Sequence, residues 1–240
     1  WLLANPRQPL RLALLVGLIA FELFTVNMDS PATYDPVPPA QQLTMPPASP
    51  SLLAIPLGDT EGQPFRVDGY RGLHDNFGSL YRLLDMRGIS PLWLAGPYTL
   101  VEPDLINPVA WELFAVRYVY TDWEQMPVPS EVVATGEDRY GTVKLHRLDD
   151  PRPFAQLVYD YAITDSDEQA HTLTKSGTVN LRGFAILDRD PAITTQDATS
   201  DDAVASLTEF QPEQFTVAVS TPADAILTLA HPDYPGWQAT

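Results

Sequence analysis

Residues 10–26 read LRLALLVGLIAFELFTV, and this run constrains the chain more than any other feature. A helix over residues 9–28 would rise roughly 30 Å, the thickness of a hydrocarbon core. Pro6 and Pro9 suit a helix start, where a missing amide leaves nothing unpaired. Arg11 is near enough to one end to snorkel. Glu22 lies about one turn inside the other end, and it either faces neighbouring helices or reaches water at the interface. Arg7 and Arg11 precede the run, Asp29 and Asp35 follow it, and no Lys or Arg recurs before Arg66. The positive-inside rule then puts residue 1 on the cytoplasmic side and everything after Asn27 outside. A cleaved signal peptide is the competing reading. Trp1 in place of Met, and the lack of a small-x-small site after the run, weigh against it.

Nine prolines between Pro31 and Pro64 follow. They disfavour long helices and favour extended segments, with room for a short helical turn at 51–55. From Phe65 the pattern is that of a folded chain. A short strand is expected at 65–67, helices at 79–86 and 108–114, and a strand at 115–121. From about residue 130 it turns almost wholly to β, with strands expected at 131–135, 141–147, 154–159, 172–180, 184–187, 203–209, 215–220 and 225–230. The expected fold class is α+β: one N-terminal transmembrane helix, a mixed α/β segment, and then an antiparallel β-sandwich-like extracytoplasmic domain. The divisions are 1–28 (transmembrane helix), 29–64 (proline-rich linker), 65–129 (mixed part) and 130–240 (β-rich part).

The formal net charge of -17 opposes nucleic-acid binding, since phosphates would be repelled. The absence of cysteine removes disulfides and thiolate chemistry together. His74, His146, His171 and His231 have no zinc-ligand spacing. Asp165-Ser-Asp167 and Asp188-Arg-Asp190 match a metal-dependent Asp-x-Asp pattern. In so Asp-rich a chain such pairs arise by chance.

Several segments carry a resemblance: AFELF closing the apolar run, FRVDGY, NFGSLYRLLDMRGISPLWLAGPYTLV, WELFAVRYVYTD, VKLHRLDDPRPFAQLV, ASLTEFQPEQFTVAVS and HPDYPGWQAT. Together they resemble the C-terminal part of bacterial YfhO-like membrane proteins, which are grouped with GT-C-type glycosyltransferases. Pro151-Arg152-Pro153-Phe154 departs from the alanine-leucine-proline-arginine-like run expected there. The resemblance implies a multi-pass cell-membrane protein of which this chain is one piece, with its catalytic acid in an earlier extracytoplasmic loop. It implies membrane lipid, polyprenyl-phosphate-linked sugar and an envelope glycan acceptor as partners. No catalytic residue and no cofactor is expected in these residues.

Candidate contacts for glycan or lipid are the polar cluster His74, Asp75 and Asn76 and the aromatics Trp93 and Tyr98. Each also has a plain structural reading, as a turn or a core anchor. A non-catalytic glycan-binding module and a scaffold domain are the alternatives to the transferase.

Overall fold

A computed structural model describes residues 9–28, 50–73, 77–87, 94–101, 107–138, 140–193, 203–211 and 213–240. Residues 1–46 and 47–240 form two compact units. Of the first unit, helix α1 (Pro9–Met28) is described. Its described side chains, residues 13–23, are largely exposed. Among the described residues no helix is long and apolar enough to cross a membrane. That finding overturns the transmembrane helix, the multi-pass extracytoplasmic placement and membrane lipid as a partner.

The second unit is a mixed α/β domain. Its described elements are α2 (Pro50–Gly58), β1 (Arg66–Gly69), α3 (Phe77–Leu80), α4 (Ala95–Val101), α5 (Pro108–Leu113) and β2 (Val116–Thr121). After these come β3 (Ser130–Asp138), β4 (Gly141–Leu148), β5 (Ala155–Val158), β6 (Asp160–Ile163) and α6 (Asp167–Lys175). The chain closes with β7 (Phe184–Leu187), β8 (Val204–Gln211), β9 (Gln214–Ser220) and β10 (Ile226–Leu229).

A four-stranded sheet in the order β1-β2-β4-β3 forms the centre. Strands β1 and β2 run parallel; the other two pairings are antiparallel. Alternate residues point to opposite faces, so Tyr118 and Tyr120 of β2 meet Val143 and Leu145 of β4 on one side. Leu52 and Leu53 of α2 pack against them there. Val119 and Leu148 face the other way, toward Trp111 and Phe114 at α5 and Val101 of α4. Gly69 closes β1 with φ +151°, and a Cβ there would fall against the Tyr120 carbonyl oxygen and within 2.7 Å of Tyr120 Cβ. Only glycine lets β1 and β2 approach this closely.

The rest is built from two-stranded sheets, namely β5–β10 and β8–β9 antiparallel and β6–β7 parallel with α6 between them. Phe154 is fully buried where these elements meet Ala115 and Ala230. The expected sandwich is therefore corrected. β3 and β4 complete the sheet that β1 and β2 begin, the expected strand at 172–180 is the end of α6 over 172–175 followed by turns, and the remaining strands pair two by two. Among the described residues, no sheets close into a barrel or a sandwich.

Candidate functional site

The site is built at the end of the central sheet where α5 crosses it. Asn107 starts α5 by accepting a hydrogen bond from the amide of Ala110 at 3.0 Å, and Pro108 fills the first turn. This sets Trp111 and Glu112 side by side on the helix. Trp111 turns inward, and its indole N–H donates to Asp68 at 2.5 Å. Asp68 is fully buried on β1, and it also accepts from Arg87 Nε at 2.6 Å and Nη2 at 3.2 Å. Three donors on one carboxylate make this a satisfied structural group that fixes α5 to the sheet.

Glu112, beside Trp111, lines a cavity of about 280 Å³. Trp111, Val116, Val128 and Leu148 give it apolar walls, with Pro108, Pro129 and Pro151 around them. Its charged members are Glu112, Asp149, Asp150, Arg152 and Arg182. Apolar walls with few polar groups are the usual make-up of a small-molecule pocket, and the volume lies near the low end of the usual range of roughly 300–1,000 Å³.

The two arginines differ. Arg182, on the turn before β7, is held by both Glu112 carboxylate oxygens, Oε1 through its Nε and Oε2 at 3.1 Å through Nη2. It also meets Asp150 Oδ2 at 2.5 Å. These acids hold the guanidinium above its ordinary range, the Glu112 hydrogen bond most of all, although burial opposes them.

Arg152 is only 7% exposed. Its Nε donates to Gln156 Oε1 at 3.2 Å and its Nη2 to Thr228 Oγ1 at 2.8 Å. Both acceptors are neutral, and among the described residues no carboxylate lies within ion-pair distance of Arg152. Nη1 makes no hydrogen bond there either. Burial pushes this guanidinium down, Glu112 partly opposes that, and Arg182 adds to it. Burying an unpaired charge costs several kcal/mol in general, and here the charge lines a cavity.

Other chemically capable groups are spoken for. His146 is 2% exposed, with Nδ1 3.3 Å from Ser130 Oγ and Nε2 3.0 Å from the Trp123 carbonyl. Asp59 takes hydrogen bonds from Arg117 at 3.0 Å and Tyr118 at 2.8 Å, tying the end of α2 to β2. Asp167 lies in the first turn of α6, and Asp188 pairs with its neighbour Arg189 at 3.3 Å. No group of described His, Asp and Glu residues could hold a metal ion.

Of the residues singled out in the sequence, His74, Asp75, Asn76 and Trp93 lie outside the described residues. Tyr98 is 47% exposed on α4 and does not line the cavity. Sequence reasoning passes over Arg152, treating the Pro151-Arg152-Pro153 run only as a departure from a pattern. An arginine fixed between two prolines was the available signal, and it is a weak one.

No family model, no curated protein and no solved structure matches this chain. This overturns the resemblance to YfhO-like proteins and the GT-C-type transfer it implied, along with polyprenyl-phosphate sugar and envelope glycan as partners. The residues that carried the resemblance have structural work of their own. A Cβ on Gly78 would come within 2.6 Å of Asp85 Cβ. Arg117 and Tyr118 hold Asp59, and Trp237 stacks on Phe215 with ring centroids 4.9 Å apart. Turns, buried ion pairs and stacked rings of this kind arise in unrelated folds for the same physical reasons.

Proposed function

We propose that the 47–240 unit is a binding module whose pocket beside α5 takes a small organic anion with an apolar body, anchored by Arg152. The observation that carries this is the buried guanidinium of Arg152, which meets two neutral acceptors and a cavity but no carboxylate. An anionic group in the cavity would supply the missing partner. A guanidinium suits a carboxylate in particular, because its planar N–H groups match the two oxygens. The apolar walls would take up the rest of the ligand, with burial contributing about 25 cal/mol per Å².

Calorimetric titration of the full chain with 4-methylpentanoate and its neutral amide tests this. The acid should bind saturably and the amide should not. At about a hundred times Kd the acid should raise stability by about 2.7 kcal/mol. Arg152→Met keeps much of the side-chain volume and removes the charge, so it should abolish the response while the thermal transition stays cooperative. Equal binding of acid and amide, or undiminished binding in the variant, would overturn the proposal.

A further inference from the structure

We infer that the pocket's ligand is a small zwitterion, an apolar molecule carrying both a carboxylate and an ammonium group, as an apolar amino acid does. This rests on Arg152 being the anchor for an anion and adds a second recognition point, Asp149. Glu112 and Asp150 are both committed to Arg182. Asp149 is not. It lines the same cavity three residues before Arg152, and among the described residues its side chain makes no hydrogen bond or ion pair. Its place at the rim is fixed by its backbone N–H, which donates to the Pro129 carbonyl at 3.2 Å.

The cavity therefore presents one unpaired positive group that is buried and one unpaired negative group that is exposed. Three acids and two arginines line it in all. A dianion such as a phosphate monoester would meet this excess of negative charge, in a molecule whose net charge is already -17. A simple monocarboxylate would satisfy Arg152 but leave Asp149 facing its own sign. A zwitterion pairs both groups and leaves its apolar part to the walls.

The experiment compares L-leucine, 4-methylpentanoate and isoamylamine by calorimetric titration of the full chain and of Asp149→Asn. Leucine should bind the unaltered chain roughly fivefold more tightly than 4-methylpentanoate, the scale of one partly exposed ion pair. In Asp149→Asn that ratio should fall to about one. Equal affinities for leucine and the acid in the unaltered chain would overturn the zwitterion and leave the anion reading standing. A leucine preference that survives in Asp149→Asn would remove Asp149 from the recognition. Tighter binding of isoamylamine than of either carboxylate, or no binding of either carboxylate, would overturn both readings together.

Discussion

Pro56 lies inside α2 and has no amide to give to the carbonyl of Leu52, four residues earlier. Leu52 is fully buried, so that oxygen cannot turn to water. The Tyr120 hydroxyl on β2 donates to it instead, at 2.7 Å. A side chain 68 positions away thus repairs the gap left by one proline and fastens the helix to the sheet. Burial raises the Tyr120 phenol well above its ordinary pKa, which keeps the proton in place for this bond. Tyr120→Phe should preserve the packing but leave the Leu52 carbonyl unsatisfied, lowering stability by about 1–3 kcal/mol. Urea unfolding followed by tryptophan fluorescence checks this, and an unchanged midpoint would show that the oxygen has found another donor. The same logic separates half-buried Arg66 from buried Arg152. Arg66 donates to the carbonyls of Phe114, at 3.1 Å, and Ala230, and its guanidinium lies over the rings of Phe114 and Phe154. Burial pushes it down to about 10. Its surroundings are backbone dipoles and π faces that close around it, whereas Arg152 opens on a cavity.

Helix α6 shows what sequence reading can and cannot see at the scale of an element. Ser166 caps it by accepting from the Gln169 amide at 3.3 Å, Asp167 and Glu168 stand in its first turn, and Lys175 stands in its last. Gln169 Oε1 reaches back to the Asp165 amide at 3.0 Å. These are strong start and stop signals for a helix. The β-branched Thr172, Thr174, Thr178 and Val179 nonetheless favour a strand over 172–180 when propensity is weighed alone. No residue of α6 is buried, so local capping matters more here than tertiary packing. Ser166→Ala should weaken the helix by about 1 kcal/mol, read as roughly fivefold faster hydrogen exchange of α6 amides, with β4 amides unchanged. Equal exchange in the two proteins would mean that the cap contributes nothing. Local signals mark several elements well, but the helix expected at 79–86 is helical only at 79–80 and then turns, with Asp85 bridging to Val67 of β1. Asn107 and Pro108 mark α5, and alternation marks β2 and β4. What alternation cannot give is the partner of each strand, because pairing joins residues far apart in sequence. The strands after residue 130 therefore read equally well as one sandwich, although β3 and β4 belong to the sheet of β1 and β2. The pocket was illegible for the same reason. Arg152 takes its meaning from Gln156, Thr228, Glu112 and Arg182, and no periodicity brings positions 112, 152, 182 and 228 together.

The acidity of the whole molecule makes its response to pH a sum of opposing effects, and His231 gives a way to separate one of them. Its ring meets Phe215 edge-on at 4.8 Å and Trp237 at 5.1 Å, in the same cluster where Phe210, Phe215 and Trp237 stack. Burial and then the Arg66 charge hold its pKa below the ordinary 6.5. The folded state therefore favours the neutral ring, and the unfolded chain takes up the proton first as pH falls. The stability tied to this site is complete above about 6.5 and declines as pH drops below that value. Asp59 acts lower on the scale. Although burial alone would raise it, hydrogen bonds from Arg117 and Tyr118 bring its carboxyl below 3.8. Its contribution holds above 3.8 and is lost only as pH falls through its folded value. Protonating exposed carboxylates works the other way, since it relieves the repulsion of a chain carrying a net -17. A single pH profile cannot separate these effects, but the difference between two proteins can. His231→Phe keeps an aromatic edge against Phe215 and Trp237 and has no proton to gain. Between pH 7.5 and 5, the unfolding free energy of the unaltered chain should fall relative to that of the variant, because every other titrating group is common to both. Parallel profiles across that range would show that His231 binds its proton equally in the folded and unfolded states, and that the aromatic cluster places no constraint on its charge.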